Sequence, residues 1–168
     1  LMFEPQEEIF EFLKKKYNEN KEIFLFNKAL SNEIKPARFN FNKHNLTSSL
    51  SSLDPENSYL KLKAKLFGTT SKGMIIDTKT IETTTLFSIL EKENIEDIDF
   101  LKIDTEGHEL EVLQGMKEKI NKVKHILVEF HIDEIYISYN PEFLHQFLIS
   151  NNFELVKKFK FPFTTWED

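Results

Sequence analysis

Ile98-Asp99-Phe100-Leu101-Lys102-Ile103-Asp104-Thr105-Glu106-Gly107-His108-Glu109-Leu110-Glu111-Val112-Leu113-Gln114-Gly115-Met116 reads as a strand, a tight turn carrying carboxylates, and a helix. Phe100, Leu101 and Ile103 suit a buried strand. Lys102 interrupts the apolar run, and its stem can lie along the sheet with the ammonium outside. The run stops at Asp104-Thr105-Glu106-Gly107. Beyond it Leu110, Leu113, Met116 or Lys117, and Ile120 recur at helical spacing. Glu106, Glu109 and Glu111 crowd the first turns, where the helix dipole favours negative charge. A carboxylate at the carboxyl end of a buried parallel strand faces the crevice where open α/β sheets bind ligands. Asp104 is therefore the first candidate functional residue.

Working outward, the pattern predicts a helix over residues 6–18, with Pro5 at its first position and Ile9, Phe10, Leu13 and Tyr17 inward. Residues 21–26 form a short β-like run, and residues 37–41 alternate as a half-exposed strand does. Residues 42–59 are polar, Ser-rich and turn-prone, which fits a mobile surface loop or an acceptor-binding lid. Strands are predicted at 60–66 and 74–84, joined by a turn over 68–73 in an antiparallel excursion. A short helix follows at 86–93. After the central stretch come a buried strand over 124–131, a helix from Asn140-Pro141 to about 150, and a last strand over 153–161. Alternating strands and helices indicate an α/β fold with a mainly parallel sheet.

With 168 residues, 40% hydrophobic and 30% charged, the chain is read as one globular domain over 1–168. The net charge of −6, without a basic stripe, argues against nucleic acid or an anionic membrane as partner. No apolar run reaches membrane-spanning length. The absence of Cys excludes disulfides, thiolate catalysis and cysteine metal sites, and it fits a reducing, cytoplasmic setting.

Most candidate residues have two readings. Glu4 ends a strand and precedes a helix; it can accept both hydroxyl hydrogens of a ribose diol, or simply favour the helix dipole. Ala29 and Leu30, small and apolar at a strand end, read by themselves as ordinary core. Asp104 can take a proton from an acceptor hydroxyl, or cap the following helix. Glu129 and His131, two apart at a strand end, share one face, and an imidazole titrates near neutrality. Asp104, Glu129 and His131 can also ligate a divalent ion, but their spacing is no standard motif and no metal is assigned. His44, His108, His125 and His145 show no partner pattern.

Leu101-Lys102-Ile103-Asp104-Thr105-Glu106-Gly107-His108-Glu109 resembles the signature of FkbM-type S-adenosylmethionine-dependent methyltransferases. Phe3-Glu4-Pro5, Lys28-Ala29-Leu30-Ser31 and Val128-Glu129-Phe130-His131 fall in that family's order, as does a helical Gly at 115. The resemblance implies a Rossmann-like, mainly parallel sheet with helices on both faces and an antiparallel last strand. It covers the family's domain from its second strand onward. The Gly-rich turn that follows the first strand has no counterpart, since no Gly-x-Gly occurs, so the chain is expected to be a fragment of that domain. It further implies S-adenosylmethionine as methyl donor and a small-molecule, sugar or glycan hydroxyl as acceptor. Glu4 and Pro5 would lie at the ribose, Ala29 and Leu30 near adenine, and Asp104, Glu129 and His131 near the acceptor. The alternatives are a non-catalytic relative and a different nucleotide- or NAD-binding α/β enzyme.

Overall fold

The computed structural model describes residues 1–42, 48–132, 134–160 and 164–165. The chain runs β1 (Met2–Phe3), α1 (Glu7–Lys16), β2 (Leu25–Phe26), β3 (Ala29–Leu30), β4 (Pro36–Asn42), α2 (Ser58–Leu66), β5 (Ile75–Thr84) and α3 (Leu86–Lys92). It continues through β6 (Ile98–Ile103), α4 (Glu109–Gln114), β7 (Val123–Val128), α5 (Pro141–Ser150), β8 (Phe159–Lys160) and β9 (Thr164–Thr165). Parallel pairing joins β1 to β2, β3 to β5, and β6 to β7, while β4 runs antiparallel to β5. The architecture is thus mixed α/β with parallel strands linked through helices, but among the described residues the strands pair in four separate sheets and not in the one mainly parallel sheet expected.

Among the described residues two apolar cores hold it. The larger packs α3, α4 and α5 on β6 and β7 through Leu86, Leu90, Ile103, Val112, Leu113, Met116 and Leu144. The smaller gathers Leu53, Leu60, Ala64, Met74, Ile135 and Tyr136. Burying a Leu completely stabilises the fold by about 1.5–3 kcal/mol.

Several expectations are corrected. Residues 60–66 are helical in α2, because the Asn57 side chain accepts a hydrogen bond from the Leu60 N–H and caps the helix. The antiparallel excursion therefore pairs β4 with β5, at Ala37 opposite Ile81 and Phe39 opposite Lys79. Pro5 precedes the cap residue Gln6 instead of opening α1, and α1 has no fully buried residue. Phe100 is exposed, so β6 is covered on one side only. Strand β7 ends at Val128, leaving Glu129 and His131 beyond it, although the Glu129 N–H still bonds the Ile103 carbonyl at 3.0 Å. The expected last strand is reduced to β8, which pairs antiparallel with β9 and, among the described residues, with no strand of the parallel pairs. Residue 161 and His44 lie outside the described residues.

Candidate active site

The carboxyl ends of β1 and β6 open onto one cavity of about 250 Å³. Glu4, Pro5, Ala29, Leu30 and Asp104 all line it. A larger cleft of about 400 Å³ beside β5 is lined by Arg38, Lys72 and Asp77 among others, but it contains a single carboxylate and no imidazole. The smaller one, which gathers Glu4, Asp104, Glu106 and His108, is the candidate site.

Glu4 stands one residue past β1, where its N–H bonds the Phe26 carbonyl at 3.0 Å. Its Oε1 accepts from the Gln6 N–H at 2.7 Å. Burial raises its pKa above the ordinary carboxylate value, and the Gln6 bond only partly opposes this. Phe3 and Phe26 stack with ring centroids 5.0 Å apart, fixing the β1–β2 end from which Glu4 projects. Asn27 Nδ2 ties down the Glu4 carbonyl at 2.9 Å.

Across the cavity, Asp104 pairs with Lys102, so that lysine turns back to the strand end. Asp104 does not cap α4, whose cap residue is His108, and the His108 side chain makes no capping bond to the helix. A hydrogen bond from Glu129 holds the Asp104 pKa down, and Lys102 adds to this. Burial, then the bond to Asp104 and the charges of Asp104, Glu106 and Glu109, push Glu129 up to about 8. Asp104 is thus the more acidic member of the pair and Glu129 the less acidic one.

The turn between Asp104 and α4 is held from three sides. Glu109, fully buried, accepts on Oε1 from the Thr105 N–H, the Thr105 hydroxyl and the Gly107 N–H at 3.0, 3.1 and 3.1 Å. Ser49 donates to the Thr105 and Glu106 carbonyls, and Ser51 to that of Gly107. The Tyr136 hydroxyl donates to Glu106 Oε2. Glu106 also lines the cavity, and burial raises its pKa. Thus the Ser-rich segment, expected to be a mobile loop or a lid, contributes two buried serines that clamp the signature turn.

His108 is a further cavity residue that no pattern in the sequence marked. Its Nε2 lies 3.0 Å from the Ser31 hydroxyl. Burial lowers its pKa and so favours neutral imidazole, although Glu111 pulls the other way. Glu129 and His131 do not line the cavity; with Glu106 they form a second cluster behind it.

The family model described as Methyltransferase FkbM domain matches residues 1–155. The chain belongs to the FkbM methyltransferase family. Neither a curated protein nor a solved structure matches it. The matched span contains every residue of the FkbM domain's cavity and of the second cluster. No helix among the described residues is long and apolar enough to cross a membrane.

Proposed function

We propose that this FkbM domain is an O-methyltransferase that uses S-adenosylmethionine and acts on a hydroxyl of a small molecule, sugar or glycan. The observation that carries the reading is the meeting of Glu4, Ala29, Leu30 and Asp104, from three separate strand ends, around one cavity. The donor set suits an adenosine: a carboxylate with two acceptor oxygens for a diol, a small residue and an apolar one for a ring, and a second acid beyond them. The parallel pairs β1–β2 and β6–β7, each linked through a helix, support a Rossmann-like arrangement with ligands at the carboxyl ends.

When bound, S-adenosylmethionine supplies an electrophilic methyl group, which passes to the acceptor oxygen in one in-line displacement and leaves S-adenosylhomocysteine. Glu4 accepts hydrogen bonds from the ribose diol. Ala29 leaves room for the base, and Leu30 covers it. Asp104 accepts the acceptor's O–H, orients its oxygen and takes its proton. With its pKa held down, Asp104 is a weak base, so the transfer is late, when the oxygen already carries positive charge. Much of the rate then comes from positioning.

Isothermal titration with S-adenosylhomocysteine tests the donor half. One-to-one binding that weakens in Glu4→Gln is expected. Absence of binding by a folded chain would leave a non-catalytic domain. Binding of NAD in preference would point to the other nucleotide class. Methyl transfer to a panel of hydroxylated acceptors, lost in Asp104→Asn, tests the acceptor half.

A further inference from the structure

We propose that Glu106, Glu129 and His131 form a divalent-cation site behind the turn at the carboxyl ends of β6 and β7. One carboxylate oxygen from each glutamate and one imidazole nitrogen lie within 4.8 Å of one another. Bonds of about 2.0–2.2 Å to an ion place neighbouring donors roughly 3–4 Å apart, so small rotations of the two long glutamate side chains close the set.

Buried members separate this cluster from a solvated acidic patch. His131 is 9% exposed, and its Nε2 has no hydrogen-bond partner among the described residues. That nitrogen lies 4.0 Å from Glu129 Oε2, too far to bond and close enough to share an ion, whereas Glu109 Oε1, 3.9 Å away, is taken by its three hydrogen bonds to the turn. Glu109 is fully buried, and its Oε2 also has no partner among the described residues. A buried polar atom left unpaired is costly, and an ion on His131 Nε2 would remove that cost.

The charge balance points the same way. Two carboxylates, of Glu106 and Glu129, meet one imidazole here, and Lys102 is already paired with Asp104. Two carboxylates and one imidazole suit a first-row ion such as Mn²⁺. The supports that a metal ligand needs are present. Tyr136 bonds Glu106, the rings of Tyr136 and Tyr139 pack edge-on against His131 at 4.9 and 5.3 Å, and the Tyr139 hydroxyl accepts from the His131 backbone N–H, which fixes the residue's place. Glu106 also faces the cavity, so the ion would meet an acceptor oxygen beside Asp104 and make its hydroxyl more acidic. That role rests on the methyl-transfer reading; the site itself does not.

Chelator-treated protein is titrated with Mn²⁺ alone, the free ion being read by electron paramagnetic resonance. Saturable binding of one ion per chain is expected, with nitrogen modulation from an imidazole in the electron spin echo of the bound ion. His131→Ala should abolish that modulation, and both His131→Ala and Glu129→Gln should weaken binding at least about tenfold. Glu4→Gln should leave Mn²⁺ affinity intact. No saturable binding by the wild-type chain, or a folded His131→Ala that keeps both affinity and modulation, overturns the site. If His131→Ala does not fold by circular dichroism, the exposed Glu129 carries the test, and unchanged affinity in Glu129→Gln is then fatal. Parallel titration with S-adenosylhomocysteine separates the two ideas. Mn²⁺ binding without it retains the site and removes the methyl-transfer reading; the reverse removes only the site.

Discussion

Gly107 meets two constraints at once. Its φ of +88° lies where side chains are strained, and a Cβ there would come within 2.5 Å of the Tyr136 ring. Gly107→Ala must therefore shift the tyrosine that holds Glu106. A loss of about 1–3 kcal/mol in denaturant unfolding is expected, and an unchanged midpoint would contradict this packing. Glu4 supplies a pH test. Its folded pKa is raised by burial, so between the unfolded value near 4.5 and the higher folded value the native state holds more protons than the unfolded one. This group's contribution to stability thus falls as pH rises through that window and is flat above it. Glu4→Gln should remove that slope; a slope unchanged in the variant would place the effect elsewhere. Affinity for S-adenosylhomocysteine should fall on acidification, since the diol needs the charged acid. Glu4 and Asp104 could be singled out from the sequence because each directly follows a strand, and strand ends are where such sheets bind ligands. Glu109, Ser49 and His108 could not. Their partners are the backbone of a turn whose shape the sequence does not spell out, or Ser31, 77 positions away.

Element boundaries show where a pattern is ambiguous. Leu60, Leu62, Ala64 and Leu66 alternate with lysines and polar neighbours, which reads as a strand. Yet Leu60 and Ala64 are also one helical turn apart, and they are the two that α2 buries; Leu62 and Leu66 are exposed. What decides between the periods is Asn57, whose side chain caps the Leu60 N–H at 2.9 Å. Asn57→Ala should destabilise the chain by about 1 kcal/mol and leave ligand binding at the cavity unchanged. No loss in thermal or chemical unfolding would argue against the cap. By contrast β6 and α5 were legible nearly to their ends. β6 stops where carboxylates begin, and α5 starts at Asn140, whose side chain accepts from the Glu142 and Phe143 N–H groups, with Pro141 behind it. The helix after the signature was legible as a period but not as a break: Gly115 lets the end of α4 approach the Ser31 carbonyl, where any Cβ would collide. Beyond it the chain continues as a tighter turn over Lys117–Lys122.

At the scale of the whole chain, the cavity is assembled from parts far apart in sequence. Glu4 comes with β1, Ala29 and Leu30 form β3, and Asp104 through His108 follow β6. The clamp on the signature turn draws on both cores: Glu109 and Val112 sit in α4 on the larger, while Tyr136, bonded to Glu106, belongs to the smaller. A ligand that bridges these parts binds the folded chain and not the unfolded one, so it must stabilise the whole by mass action. At 100 times its Kd, S-adenosylhomocysteine should raise the unfolding free energy by about 2.7 kcal/mol. Because the turn links both cores, tryptophan-free probes of each, such as hydrogen exchange at Leu60 and at Leu113, should gain protection together. Glu4→Gln at the same ligand concentration should gain less. No added protection at either core, or a gain in Glu4→Gln equal to that of the wild type, would mean that the ligand does not engage the end of β1, and the nucleoside reading of the cavity would then fail.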